Sequence, residues 1–437
     1  MDFIPRVVDP QYRKCPADFS RKRKLPLHQI IAFILHLVAK GPAAGMDIEA
    51  GRFFTQAQAL GLWPEAQPAG RSAISQCRAK LPWEIFRDLL VKANALAAQL
   101  WVPAPDHLWH GLRVLAIDGS KFTLPASAEL RKEFDPQSGL DNPNKGHYPQ
   151  ALVNTLYDVM RRLPLARTVV SIHDSERVQV HKLLPYAPDS SIILFDRGYP
   201  AFDLLETLTC HFTGHFLMRG PASNTFREIE DFMQSGKTDA VILLRPSKKY
   251  LESLPSSLRR IKCDATIHLR AIRMESPDGK LSVLLTDLLD GAIYPPAELI
   301  ELYLRRWRIE EYYRQEKIVM DVETFHGRTA NAIRQELFAA AVMTVIARIM
   351  AALTEENHAL KPGQTQAKNA LFATAQVACL LAAEAPAVAI EIFERLLEQI
   401  ARIKYYPPKS KRPPQPRITK RSPKKWNLGN RSIQAIP

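Results

Sequence analysis

Two aspartates in this chain stand where an apolar run gives way to a glycine. Asp118 closes Leu112 to Asp118 (LRVLAID) and is followed by Gly119 and Ser120, while Asp196 closes Ser191 to Asp196 (SIILFD) and is followed by Arg197, Gly198 and Tyr199. Each run reads as a short buried strand, and catalytic groups in open α/β sheets gather at strand ends. An aspartate in that position also starts a turn for local reasons, so neither residue decides anything alone. A third carboxylate has a more telling setting. At helical spacing, Tyr303, Arg306, Glu310, Tyr313 and Lys317 share one stripe of about 80°. Ile300, Leu304, Trp307 and Ile318 flank it on one side, Leu302, Ile309 and Met320 on the other, and Arg305, Arg308, Tyr312 and Gln315 lie opposite. A polar stripe between two apolar flanks is expected to face inward or line a cleft. The alternative is a structural i,i+4 pair, Arg306–Glu310.

These groups need elements to hold them. Residues 1 to about 105 read as helical, through Leu27 to Val38 and Ile85 to Leu100, with a compact polar helix at Ser72 to Lys80 for which helix-turn-helix is the minority reading. Pro103 and Pro105 mark a break. Strands follow at Leu112 to Asp118, Ala151 to Tyr157, Arg167 to Ile172 and Ser191 to Asp196, with a helix capped by Asp174 or Ser175 and another from Phe202 to Leu208. A second strand-rich stretch, about 219–293, contains Val241 to Arg245, Thr266 to Met274 and Leu281 to Leu288, with turn signals at Ser235-Gly236 and Pro277-Asp278-Gly279. Pro295-Pro296 then opens a long helix through Lys317, followed by helices from Ala330 to Leu353 and Thr365 to Gln399. The order implies an α/β core interrupted by a β-rich insertion and closed by helices.

Charge narrows the partner. Over 437 residues Lys and Arg outnumber Asp and Glu by 59 to 45, a net +14 that favours a polyanion. Eleven Lys or Arg and no acid fall between Arg402 and Pro437, in a proline-rich tail that should be extended. Such a tail either solubilises or adds phosphate contacts without reading sequence. A second basic cluster is Arg21-Lys22-Arg23-Lys24. No apolar run reaches the roughly 18 residues of a membrane span, since Leu337 to Ile346 ends near Arg348. The amino end lacks an apolar signal core, and five scattered cysteines fit neither a zinc site nor a disulfide framework. The expectation is a cytoplasmic protein with no membrane partner.

The spacing Tyr303-x2-Arg306-x3-Glu310-x6-Lys317, within RRWRIEEYYRQEK, resembles the Y-R-E-K signature of DDE transposases of the insertion-sequence-4 type. Leu115-Ala-Ile-Asp118-Gly-Ser-Lys-Phe-Thr-Leu-Pro125 and Ile192-Ile-Leu-Phe-Asp196-Arg-Gly-Tyr199 resemble that family's two aspartate segments. Phe19 to Pro26 and Ser75 to Pro82 resemble its amino-terminal segments, so the likeness covers roughly residues 18–328. It implies an α/β fold: a ribonuclease-H-like core at 106–328 with a β-rich insertion at about 219–293. A helical end-binding domain at 1–105, a helical region at 329–401 and the basic tail at 402–437 complete it. The 114-position gap from Asp196 to Glu310 leaves room for the insertion.

By the same resemblance Asp118, Asp196 and Glu310 are the catalytic, metal-binding triad. Three hard carboxylates suit Mg²⁺, with Mn²⁺ as a substitute, and two ions about 4 Å apart serve an in-line phosphoryl displacement. Tyr303, Arg306 and Lys317 are the expected phosphate contacts, Arg306 in bidentate fashion. The implied function is a transposase that binds terminal inverted repeats, cuts them and joins 3′-hydroxyls to target DNA, as a homodimer in the synaptic complex. Rival readings are a domesticated, non-catalytic DNA-binding relative and a nuclease without joining activity. The family also implies a hairpin intermediate with a flipped base, which needs a stacking platform. No Trp lies between Trp109 and Trp307, so Phe226, Phe232, Tyr250 and Tyr294 are the candidates within the insertion.

Overall fold

Pairing between distant segments sets the architecture. A computed structural model describes residues 3–4, 15–19, 25–39, 45–101, 104–136, 148–275 and 279–406. The Arg21–Lys24 cluster, Pro277-Asp278 and the tail beyond residue 406 lie outside the described residues. The strands are β1 (Leu108–Trp109), β2 (Leu112–Thr123), β3 (Gln150–Asp158), β4 (Leu163–Ser171), β5 (Ser191–Phe195), β6 (His215–Pro221), β7 (Asp239–Leu244), β8 (Ile267–Glu275) and β9 (Leu281–Thr286). They form one sheet in the order β4-β3-β2-β5-β6-β9-β8-β7, with β1 paired to β2 off that path. Strands β2, β5 and β6 run parallel, and the other pairs are antiparallel. The strand-rich stretch at 219–293 therefore has no separate sheet of its own: β9 continues the central sheet by pairing with β6 from Leu217↔Thr286 to Pro221↔Ser282.

Among the described residues four helices precede the sheet: α1 (Leu27–Ala39), α2 (Met46–Ala59), α3 (Arg71–Lys80) and α4 (Glu84–Leu100). Between strands lie α5 (Ala128–Phe134), α6 (Glu176–Leu183), α7 (Phe202–Cys210), α8 (Arg227–Gln234), α9 (Lys248–Ser253) and α10 (Ser256–Lys262). After β9 come α11 (Pro296–Leu304), α12 (Trp307–Arg314), α13 (Ala330–Asn357), α14 (Ala367–Gln376) and α15 (Pro386–Arg402). Helix α13 is capped by the Thr329 side chain, which accepts from the Ala332 amide. It is apolar on nearly all sides because it is surrounded by α1, α4, α14, α15 and β4. By length and composition it could cross a membrane, but 83% of its most apolar 18 residues is buried inside the protein. Arg78 on α3 reaches Glu336 on α13 at 2.7 Å, both almost fully buried, which fastens the amino-terminal helices to that central helix.

Two expected helices are interrupted. The one expected over Thr365 to Gln399 divides at Gln376, and α15 opens at Pro386, where a residue without an amide hydrogen costs nothing. The one expected from Pro296 to Lys317 tightens at its middle, where Arg305 and Arg306 donate to Leu302 and Tyr303, three residues back. It then widens into a π-helical turn at Gln315–Val319. Within that turn Glu316 points into the core, and its Oε1 accepts from Arg167 on β4 at 2.8 Å and from Tyr312 at 2.7 Å.

The side chains of Arg167 and Glu316 are both 0% exposed, so each compensates the other's charge away from water. Arg167 also donates to the Leu337 carbonyl at 2.5 Å, which joins β4 to α13. Arg167→Ala should destabilise the chain by about 3–5 kcal/mol, because it strands a buried carboxylate. The double variant Arg167→Met with Glu316→Leu should cost less than either single truncation. Denaturant unfolding of the three proteins checks this, and a double variant at least as damaged as the singles would contradict it.

Candidate active site

Register brings the two aspartates together. The parallel β2–β5 ladder ends at Ala116↔Leu194, and Asp118 and Asp196 each stand two residues further on. Asp196 follows the end of β5, as expected. Asp118 does not end its strand: β2 continues through Gly119-Ser120 to Thr123, paired only with β3 on that side. The polar Gly-Ser-Lys segment hid this continuation, because the apolar run stops while the backbone ladder goes on. Alternation along β2 then turns Asp118, Ser120 and Phe122 toward α12 and the turn after it. Tyr313 donates toward the Asp118 carbonyl at 2.7 Å and the Val153 carbonyl at 3.1 Å, which fixes α12 over β2 and β3.

The helix stripe faces inward. Tyr303, Arg306 and Tyr313 are 3–5% exposed, while Glu310 and Lys317 are partly exposed. Only one flank is buried with it: Leu302, Ile309 and Met320 are in the core, but Leu304, Trp307 and Ile318 are 55%, 49% and 71% exposed. The cleft edge thus carries an apolar rim that periodicity had assigned to the interior. Lys317 donates to Ser120 Oγ at 2.8 Å and to the Lys121 carbonyl at 2.6 Å, and the Tyr303 hydroxyl lies 3.4 Å from Asp196 Oδ1.

All three carboxylates meet on Arg306. Its guanidinium donates to Glu310 Oε1 at 2.9 Å and stands 3.7 Å from Asp118 Oδ2 and 3.9 Å from Asp196 Oδ1. Its Nε and Nη1 have no hydrogen-bond partner although they are buried. Burial opposes its charge, but Tyr303, Asp196 and Asp118 hold its pKa above the ordinary value. Burial has the opposite consequence for Asp118: desolvation raises its carboxyl to about 7, Arg306 pulls it down, and Glu176 and Asp196 push it up again. Burial likewise pushes the Tyr303 phenol up to about 12.

The donor set is three hard carboxylates converging on one cation, which fits Mg²⁺. With the guanidinium between them, the three are spread: among the described residues no group of three His, Cys, Asp or Glu side chains stands close enough to ligate one ion directly. Asp118, Asp196 and Glu310 are the residues that would hold it.

Two further polar groups attend this centre. Glu176, at the start of α6, accepts from the Tyr199 hydroxyl at 3.0 Å, and its charge acts on Asp118 more strongly than that of Asp196. Sequence reasoning did not single out Glu176: an acid in the first turn of a helix is ordinary, and only the fold shows what it faces. Of the four insertion aromatics, Phe232 is buried and Tyr294 stacks on Trp109 at 5.6 Å, so both serve packing. Phe226 and Tyr250 are partly exposed, Tyr250 lying against Phe202.

The raised Asp118 carboxyl has a consequence for stability. Between its ordinary value of 3.8 and the folded value of about 7, the folded chain binds more protons than the unfolded one. Stability conferred by that proton is complete below the lower value and is lost as pH rises through the upper one. In divalent-free buffer, wild type should lose roughly 2–4 kcal/mol across this window relative to Asp118→Asn. Denaturant unfolding of both proteins from about pH 4 to about pH 8 measures it. Parallel profiles would show that Asp118 does not titrate in this way.

A family model described as a transposase DDE domain matches residues 109–346, more than half of the chain and a range that contains Asp118, Asp196 and Glu310. The chain is 27% identical over 331 residues to the transposase InsG for insertion sequence element IS4 of Escherichia coli, covering 74% of this chain and 65% of that protein. It is 35% identical over 143 residues to the InsZ protein of Escherichia coli, covering 32% of this chain and 45% of the relative. The matches thus span less than two thirds of either relative's length. Among solved structures it is similar to a piggyBac transposase synaptic complex with hairpin DNA, with a TM-score of 0.45 and 11% identity over 87% of this chain and 77% of that one. The chain belongs to the transposase DDE-domain family.

Proposed function

We propose that this chain cuts DNA at the terminal inverted repeats of an insertion sequence and joins the freed 3′-hydroxyls to target DNA. The observation that carries the reading is the meeting of Asp118, Asp196 and Glu310 on one guanidinium, from two strands and a helix far apart in sequence. The sheet order supports it: β2, β3 and β4 as an antiparallel meander followed by parallel β5 and β6 is compatible with a ribonuclease-H-like core. Mg²⁺ or Mn²⁺, when bound, supplies activation of the attacking oxygen and stabilisation of the leaving one.

The chain's own residues do the rest. Asp118, Asp196 and Glu310 hold the ion, and Tyr303 orients Asp196. In this reading Tyr303, Arg306 and Lys317 contact phosphates near the cut end. Arg306 has Nε and Nη1 left to offer a phosphate while Nη2 stays on Glu310. Residues 1–105 bind the transposon end, the tail at 402–437 adds sequence-independent phosphate contacts, and two copies pair the two ends. For a hairpin stage, a flipped base needs an aromatic face. Trp307, 49% exposed with the Arg306 guanidinium 5.7 Å from its ring centre, joins Phe226 and Tyr250 as a candidate.

Asp118→Ala, Asp196→Ala and Glu310→Ala should each reduce Mg²⁺-dependent cleavage of end DNA to background. Gel-shift binding should persist, since carboxylates repel phosphates. Denaturing gels of wild-type reactions should also show a hairpin that diminishes when the stacking aromatic becomes Ala while nicking continues. An alanine variant of the triad that still nicks at near wild-type rate would remove it from the site. Wild-type binding without any cleavage would favour the non-catalytic DNA-binding reading.

A further inference from the structure

Strand β2 carries glycine at 119, and a carboxylate fills the space its missing side chain leaves. A Cβ built there would stand 2.7 Å from Glu176 Cδ, 2.8 Å from Glu176 Oε1 and 2.9 Å from Asn154 Oδ1. Gly119 sits in a regular strand, so clearance and not an unusual backbone angle requires glycine here. Any larger residue would expel Glu176.

Two features hold Glu176 in that space, and a third group faces it. It opens α6, which packs across β2, β3 and β4. The Tyr199 hydroxyl, on a side chain 2% exposed, donates to its Oε2 at 3.0 Å. Tyr199 lies three residues after Asp196, so the segment that delivers the second aspartate also grips Glu176. Asn154, paired with Gly119 in the β2–β3 ladder, is 0% exposed. Its Nδ2 donates to Thr168 Oγ1 at 3.1 Å, and its Oδ1 has no partner. Two acceptor oxygens, Glu176 Oε1 and Asn154 Oδ1, therefore converge over Gly119, an arrangement that calls for a cation or a donor between them.

Position completes the argument. Asp118 and Gly119 are neighbours that face opposite sides of the sheet, Asp118 toward α12 and Gly119 toward α6. The β2–β5 ladder has ended by this point, so paired β5 backbone does not wall off one side from the other. We propose that Glu176 is a fourth carboxylate of the metal site, approaching Asp118 from the α6 side while Glu310 approaches from the α12 side. Tyr199 and Asn154 are its positioning residues. This inference rests on the reading of Asp118, Asp196 and Glu310 as the metal-binding group.

The test is Mn²⁺ binding by the full chain without DNA, followed through the electron paramagnetic resonance signal of free Mn²⁺. Glu176→Gln preserves shape and helix start while removing the charge. It should weaken Mn²⁺ binding about 10-fold or more, and Tyr199→Phe should weaken it to a smaller degree. Circular dichroism and thermal unfolding confirm that both variants fold. Asp118→Asn serves as the reference that must also lose affinity. If Asp118→Asn loses Mn²⁺ while Glu176→Gln and Tyr199→Phe bind like wild type, Glu176 is a structural group whose oxygen simply accepts from a turned Asn154 amide, and the proposal fails. If Asp118→Asn itself binds Mn²⁺ as wild type does, the metal reading of the triad fails first and takes this inference with it.

Discussion

Three carboxylates drawn into one place repel one another, and a folded chain tolerates this only with a cation among them. Here that cation is the Arg306 guanidinium, within 2.9–3.9 Å of Asp118, Asp196 and Glu310. Its burial makes the arrangement unforgiving, because a charge held away from water needs close partners of opposite sign. The site thus sets one positive against three negative groups, and burial, before any neighbouring charge, raises the carboxyl of Asp118, the most buried acid of the three. Everything that fixes the helix over the sheet maintains this balance.

That fixing is done by polar contacts beneath the helix. Tyr313 is tied to the carbonyls of β2 and β3, Lys317 to Ser120 and Lys121, and Glu316 to Arg167. The tightened turn at Arg305-Arg306 and the π-helical turn at Gln315–Val319 adjust which residues point at the sheet. A uniform helix keeps only one face inward. With a wider last turn, Glu316 and Lys317, adjacent in sequence, both find partners on the sheet strands.

Periodicity made much of the site legible. The stripe from Tyr303 to Lys317 faces the sheet as its spacing implied, and the segments ending in Asp118 and Asp196 lie side by side. What escaped was information that no local pattern holds. Leu304, Trp307 and Ile318 looked as apolar as Leu302 and Ile309, yet among the described residues they stay exposed on that side. Strand β2 looked shorter than it is because Gly119, Ser120 and Lys121 are poor strand formers held by β3. Glu176 carried no signal at all until Gly119 and Tyr199 were placed next to it. The β6–β9 pairing joins residues about 60–70 apart, and alternation within either strand says nothing of its partner.

That last pairing has a mechanical consequence. Strand β6 is hydrogen-bonded to β5 on one side, just before Asp196, and to β9 on the other. Beyond β9 the ladder runs on through β8 to β7 without a gap. Load placed on the outer strands crosses these ladders as shear, shared among several bonds at each step, so the path is stiff. A push against the β7 edge reaches the backbone behind Asp196 with little slack, as through a single plate rather than a hinged flap. The outer third of the sheet is therefore continuous, ladder by ladder, with the backbone that carries a carboxylate.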